Sequence, residues 1–548
     1  MRPAMILKRI CALALASTFA ASCIPAPVTE PSPLMPSRVI VIGLDNYHGD
    51  DVQRAMPNLW GFLQQGAWTL NTHHPGLPTR TAPGFASIAS GQYADRHGAL
   101  SNSFQAPAGA GRVGFAYWEN LGKQVPPPFL SDPPWVAFNK AGYDVGAVGW
   151  QGLVLENKQE AQAYIGREVS NQDLDRYWGL AVHRKDGKAE LGTAEIAALR
   201  EAAPEGWLNG WSGPPLKSAA ITLPLATALL KSGVPIVFNY IENTHQRCTG
   251  TTPQSCVGNL AKGSFDDLLK ADDAAFGKFF TDLATLGITT ANTLFVVTTD
   301  EEDHYLDDYA KIVDTAGLQP AINGAAGIFY GANADALADT LARTAGIQSI
   351  ATRSAMKALH IPTSDQRAPT YIAFSDADSY FNRGPCSNCG RWNHGTIGPD
   401  INDFWIGIVG AGVKPGKLGA FTDHSDIVAT IRYALGIAPT GDLDGVPAFP
   451  ALSRRTSDEL LAARDAYKRI NAPFGDLGAT VLKLSTAGVR GGSEARAKAD
   501  ARIADLTTRR DALAIELRGA IDGSAPRAVD ALRDLVKRAN ALVDEAGR

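Results

Sequence analysis

The chain has 548 residues, enough for roughly two to four domains. Hydrophobic residues make up 45% and charged residues 20%, so a large buried core is expected and wholesale disorder is excluded. The 51 Lys+Arg against 56 Asp+Glu leave a net charge of −5, which argues against a binder of duplex nucleic acid relying on a basic face.

Residues 1–23 read as a secretory signal. Arg2, Lys8 and Arg9 precede an apolar run over residues 10–21, and Ala20-Ala21-Ser22 supplies small residues for cleavage. The run is shorter than the roughly 20 residues that span a bilayer. Cys23 directly after it resembles a bacterial lipoprotein cleavage box, which would attach the protein to a membrane; the alternative is simple release. The expected location is periplasmic or outer-membrane-anchored. Residues 24–37 are proline-rich and read as an extended tether.

Residues 38–452 alternate short β-rich runs with longer helical patterns. Arg38-Val-Ile-Val-Ile-Gly43 and Val145-Gly-Ala-Val-Gly149 predict buried strands. Val234-Pro-Ile-Val-Phe238, Leu294-Phe-Val-Val-Thr298, Thr370-Tyr-Ile-Ala-Phe374 and Phe404-Trp-Ile-Gly-Ile-Val409 follow. Continuous apolar strands separated by helices predict an α/β fold: a mostly parallel sheet with helices on both faces. In such sheets the chemistry sits at the carboxyl ends of the strands. Insertions at about 105–134 and 151–215, with their Trp, Pro and Gly, read as loops and a cap.

Beyond residue 452 the pattern becomes helical. Thr456-Ser-Asp-Glu459 predicts a capping box. Ile503, Leu506, Leu513, Leu517 and Ile521 share one stripe, and Val529, Leu532, Val536 and Val543 another. Residues 453–548 therefore read as a helical extension, either packed on the α/β domain or serving a partner or self-association.

Export also decides how the cysteines read. Cys248, Cys256, Cys386 and Cys389 lie outside the signal, and an oxidising compartment favours the disulfides Cys248–Cys256 and Cys386–Cys389. For Cys386-Ser-Asn-Cys389 the alternatives are a redox pair or half a zinc knuckle.

Several strands are followed by residues that carry chemistry. The first ends in Gly43-Leu-Asp45-Asn46, where Asp45 either holds a metal or makes an Asx-turn. Next, Pro83 and Gly91 bracket a short helix with Thr81 at its N-terminal edge. A hydroxyl there meets free N–H groups and partial positive charge, which stabilise an alkoxide and bind an anionic ester; otherwise Thr81 caps the helix. Glu242 and His245 follow the third strand, Asp300, Glu301 and His304 the fourth, and His394-Gly395 precedes the Phe404 strand. Together these are carboxylate and imidazole ligands suited to zinc or another divalent ion, around a hydroxyl nucleophile.

The order Asp45, Thr81, a His-bearing turn, Asp300 and His394-Gly395 resembles the alkaline phosphatase superfamily. The stretch Pro78-Thr-Arg-Thr81-Ala-Pro83 through Ser90-Gly-Gln-Tyr-Ala-Asp-Arg96-His97-Gly98-Ala-Leu-Ser-Asn102 is similar to the type I phosphodiesterase and nucleotide pyrophosphatase branch. So is Thr422-Asp-His424-Ser-Asp-Ile-Val-Ala-Thr-Ile431, which resembles the motif opening that branch's closing helix.

The resemblance covers about residues 38–440 and implies two divalent metal ions, zinc by expectation. Asp45 and Asp300 would bind one beside the Thr81 oxygen, and His245 and His394 the second. Thr81 would attack phosphorus to give a phosphothreonine. Small-molecule, nucleotide or lipid phosphoesters are the implied substrates.

Three departures from the branch stand out. Position 241 is Ile where an Asp is usual, leaving Glu242 nearest. Asp300 is followed by Glu301 instead of His, with His304 four positions on. Gly84 stands where an Asn often binds a phosphoryl oxygen, leaving Arg80 and Gly84 beside the substrate. Glu242, Glu301 and His304 are therefore the expected substitute ligands. The rival functions are a phosphomonoesterase or sulfatase-type hydrolase of the same fold, or a catalytically impaired envelope binding protein.

Overall fold

The computed structural model describes residues 35–105, 112–114, 131–150, 180–188, 192–202, 218–241, 266–305, 311–314, 325–331, 333–364, 368–382 and 392–548. The expected signal with Cys23, much of both insertions, Glu242, His245, Cys248, Cys256, Cys386 and Cys389 lie outside the described residues.

The α/β expectation holds. Among the described residues the main sheet has eight strands, here β1 (Arg38–Leu44), β2 (Ala67–His73), β3 (Val145–Val148), β4 (Leu180–His183), β5 (Ile236–Ile241), β6 (Thr293–Thr299), β7 (Asp403–Gly410) and β8 (Gly416–Lys417). They lie in the order β8-β2-β7-β6-β1-β5-β3-β4. The central four, β6, β1, β5 and β3, run parallel. β7 enters antiparallel between β6 and β2. The central strands are buried on both faces, which is why they read as unbroken apolar runs. In β1, Ile40, Ile42 and Leu44 face one core, while Val39 and Val41 face the other with Phe85 and Ile88 of helix α1 (Thr81–Ser90).

One predicted strand sits elsewhere. Tyr371–Ser375 pairs antiparallel with Ala326–Phe329 and Ile347–Ala351 in a separate three-stranded sheet. Five apolar residues suit any buried strand, so the run itself does not say which sheet receives it.

The C-terminal region forms α2 (Asp458–Asn471), α3 (Asp476–Arg490), α4 (Gly492–Ile521) and α5 (Val529–Ala546). The cap of α2 is Ser457, whose hydroxyl accepts from Leu460 N at 3.3 Å, one residue later than the capping box predicts. All five residues of the α4 stripe are buried. On α5 Leu532 is buried, Val536 and Val543 are half-buried, and Val529 is 49% exposed.

These helices share a hydrophobic core with the three-stranded sheet and with Leu77, Ala82 and Ala86 beside Thr81. Each large apolar side chain moved from water into that core contributes about 1.5–3 kcal/mol, so the region is a wall of the α/β body and not a free extension. Polar contacts cross the same boundary. Lys468, fully buried on α2, donates to Asp423 Oδ2 at 2.7 Å, Asp426 Oδ1 at 2.9 Å and the Tyr93 hydroxyl at 3.3 Å. Arg464, also fully buried, donates to Asp426 Oδ2 at 2.8 Å and to the carbonyls of Phe421 and Pro447.

Candidate active site

Adjacent parallel strands end level with one another, and that alignment assembles the site. β1 lies between β5 and β6, and the backbone N–H of Asp45 donates to Ile241 O while that of Asp300 donates to Leu44 O. Two carboxylates 255 residues apart in sequence thereby reach one end of the sheet, both buried. Glu301 follows at once, also fully buried. Oxygens of Asp45, Asp300 and Glu301 lie within 4.8 Å of one another.

Burial, followed by repulsion from Asp45, pushes the Asp300 and Glu301 carboxyls well above the usual carboxylate range. Asp300 Oδ2 and Glu301 Oε2 are buried and accept no hydrogen bond. Carboxylates in such a cluster are repelled from one another and left short of donors, so they fit a cation.

Thr81 is placed by α1. Arg80 is extended (φ −145°, ψ 152°), Thr81 is the first helical residue, and Gly91 closes the helix at φ +70°, a left-handed conformation that favours glycine. Thr81 is 6% exposed, and its hydroxyl donates to Glu301 Oε1 at 2.9 Å. It therefore faces the carboxylates and does not cap its own helix.

Asn102 completes this corner. Its Oδ1 accepts from Ala82 N at 2.8 Å, and its Nδ2 reaches Thr81 Oγ1 at 3.5 Å. An amide therefore stands beside Thr81 from position 102, with none at position 84. Gly84 has a packing role instead: a Cβ there would lie 3.0 Å from Asp300 O and 3.2 Å from His74 Nε2. A larger residue at that point would press α1 against the end of β6 and require its neighbours to shift by a few tenths of an ångström. Asn102 stood in the motif that carried the family resemblance, but its 21-residue separation from Thr81 hid the contact.

His394 approaches from the loop before β7. Its Nδ1 bonds Asp303 Oδ1 at 2.5 Å, and its Nε2 lies 3.3 Å from Glu301 Oε1. Asp303 Oδ2 accepts from Asn46 Nδ2 at 2.5 Å, tying the ends of β1 and β6 to this loop. A histidine oriented through one ring nitrogen by a carboxylate presents the other nitrogen as a ligand. Asp303 does that orienting, and only its place in an acidic run hinted at it. Tyr240, whose hydroxyl donates to Asp45 Oδ2 at 2.6 Å, was hidden inside an apolar strand.

Arg80 and Gly395 pack together, since a Cβ on Gly395 would meet the guanidinium at 3.0 Å. The Gly395 N–H also donates to Thr79 Oγ1, joining the His394 loop to the segment before Thr81.

The structure therefore brings together Asp45, Thr81, Asp300, Glu301 and His394. It takes His304 elsewhere: that ring bridges Asp400 and Asp378, the latter at 3.0 Å. The backbone of His304 pairs with that of Asn393, the residue before His394. His97 serves a turn: Ala99 N donates to its Nδ1 at 3.0 Å, and its Nε2 bonds Ser87 Oγ at 2.9 Å.

Comparison with known proteins gives the same direction as the geometry. Residues 39–207 match the family model described as type I phosphodiesterase / nucleotide pyrophosphatase. The match covers less than half of the chain and marks that stretch as similar to the family. No curated protein sequence matches the chain.

Solved structures match in fold. Murine ectonucleotide pyrophosphatase / phosphodiesterase 5, an inactive threonine-to-alanine variant in complex with AMP, is 12% identical with a TM-score of 0.53. The match covers 76% of this chain and 98% of that one. The same murine protein in a second structure is 13% identical with a TM-score of 0.52, covering 76% and 100%. The human counterpart is 11% identical with a TM-score of 0.50, also covering 76% and 100%. The resemblance to the phosphodiesterase branch of the alkaline phosphatase superfamily is thus shared by sequence and fold. Among the described residues no helix is long and apolar enough to cross a membrane.

Proposed function

We propose that this protein is an exported, metal-dependent phosphoester hydrolase of the phosphodiesterase or nucleotide pyrophosphatase type, acting through a phosphothreonine on Thr81. One observation carries the reading: a buried threonine hydroxyl on the first residue of a helix, 2.9 Å from a cluster of three buried carboxylates. Thr81 Oγ would attack phosphorus, forming the Oγ–P bond as the bond to the leaving alkoxide breaks and the hydroxyl proton ends on that leaving oxygen. Asn102 Nδ2 would donate to a phosphoryl oxygen, and the partial positive charge at the N-terminus of α1 would favour the same negative charge. Water then attacks the phosphothreonine, the Oγ–P bond breaks, and the hydroxyl is regenerated.

Two divalent ions would supply charge neutralisation at the attacking and leaving oxygens when bound, one held by Asp45, Thr81, Asp300 and Glu301 and the other by His394 with His245. The murine neighbour that is inactive as a threonine-to-alanine variant and holds AMP supports a threonine nucleophile and a nucleotide-type ester. A signal over residues 1–23, a lipid on Cys23 and the disulfides Cys248–Cys256 and Cys386–Cys389 belong to the same reading of an envelope enzyme.

The test is metal content measured beside hydrolysis of bis-p-nitrophenyl phosphate, p-nitrophenyl phosphate and p-nitrophenyl sulfate. About two metals per chain and diester turnover that Thr81→Ala abolishes are expected. Preference for the monoester or sulfate would move the substrate class and keep the nucleophile. Bound metal with no turnover on any ester would favour the binding-protein alternative.

A further inference from the structure

The carboxylate cluster differs in its chemistry from a mixed nitrogen and oxygen site. Every donor in the group formed by Asp45, Asp300 and Glu301 is a carboxylate oxygen. Thr81 Oγ1, 2.9 Å from Glu301 Oε1, adds a further oxygen. His394 Nε2 lies 3.3 Å from Glu301 Oε1, but it does not join the group in which all donors lie within 4.8 Å of one another.

Two oxygens of this group, Asp300 Oδ2 and Glu301 Oε2, are buried without a hydrogen-bond donor, on residues that are 0% exposed. Unpaired buried carboxylate oxygens are costly, so a cation is their fitting partner. Which cation depends on donor type. Carboxylate and hydroxyl oxygens suit hard ions such as Mn2+, Mg2+ and Ca2+, whereas imidazole nitrogen adds affinity for Zn2+.

We propose that Glu301 makes the cation site beside Thr81 an all-oxygen site, which accepts a hard divalent ion such as Mn2+ and discriminates weakly in favour of Zn2+. The inference rests on the metal-dependent hydrolase reading and adds the class of ion that its nucleophile side takes. Glu301 is the deciding residue because its Oε1 lies 2.9 Å from the Thr81 hydroxyl and 3.3 Å from His394 Nε2.

The experiment titrates the full chain, stripped of metal by a chelator, with Mn2+ and separately with Zn2+. Bound Mn2+ is counted by loss of the free-ion EPR signal, and bound Zn2+ by competition with a chromophoric chelator. Wild type should bind Mn2+, and Glu301→His should raise the ratio of Zn2+ to Mn2+ affinity by about tenfold or more. Glu301→Gln, which keeps the shape and removes the charge, should weaken Mn2+ binding by about tenfold or more.

An unchanged ratio in folded Glu301→His overturns the proposal. If that variant does not fold, unchanged Mn2+ affinity in Glu301→Gln overturns it instead. Wild type that binds neither ion sinks the hydrolase reading itself, a result distinct from binding that ignores residue 301.

Discussion

Replacing Lys468 by methionine tests whether the C-terminal helices hold the α/β body together. Lys468 sits on α2 with none of its surface exposed, and its ammonium is shared by Asp423 and Asp426 at 2.7 and 2.9 Å. With Arg464 the cluster contains two cations and two carboxylates, so methionine leaves it with one uncompensated negative charge. Asp423 keeps the Tyr93 and Ser425 hydroxyls, and Asp426 keeps Arg464 and the Val446 N–H. Those contacts moderate the loss without replacing a charge.

Breaking a buried pair from one side costs about 3–5 kcal/mol, and methionine roughly preserves the packed volume, so nearly all of the loss is electrostatic. Urea unfolding followed by tryptophan fluorescence should show a loss of that size. Lys468→Met combined with Asp423→Asn should recover part of it, because the orphaned charge is then gone. A change within about 0.5 kcal/mol for Lys468→Met, or no recovery in the double variant, would refute the reasoning.

Asn102→Ala should lower diester turnover by about 10²–10³-fold while leaving the fold intact, measured as kcat against thermal stability; a loss below about threefold would remove Asn102 from the oxyanion role. Stability should fall on acidification from about pH 6.5 toward pH 3. Burial holds the His97 imidazole down to about 3 from 6.5, and its Nδ1 already accepts from Ala99 N, so the folded state binds fewer protons than the unfolded one across that window. The loss of stability is complete below the folded value and absent above the unfolded one; replacing His97 by Gln should flatten the slope of unfolding free energy against pH. Removing residues 453–548 should yield an aggregating chain, since the cut exposes the shared core and strands Asp423 and Asp426; a soluble, folded truncation would contradict the packing described for α2 to α5.

Much of the site was legible because its donors sit immediately after strands that announce themselves. Asp45 and Asp300 follow apolar runs, and Thr81 follows Pro78 and precedes Pro83, so local chemistry and position agreed. The roles of Asn102, Asp303 and Tyr240 were not legible, because nothing local shows which residue each one meets. Asn102 needs a fold back over 21 residues, Asp303 one face of an acidic turn, and Tyr240 a strand end brought beside Asp45. His304 shows the converse: its residue type suited a ligand, and the fold places it against Asp378 and Asp400.

What the sequence alone determined is the α/β class, the parallel core strands, the α1 boundaries and the helical stripes. Each follows from patterns a few residues long, where hydrophobic periodicity and backbone preference act directly. The tertiary structure alone decided which sheet receives Tyr371–Ser375, that the Asn102 amide stands beside Thr81, and that residues 453–548 are a wall of the α/β body. Those outcomes depend on pairings between segments far apart in the chain. Their free energy comes from burying the two partners together, and neither partner's own residues record it.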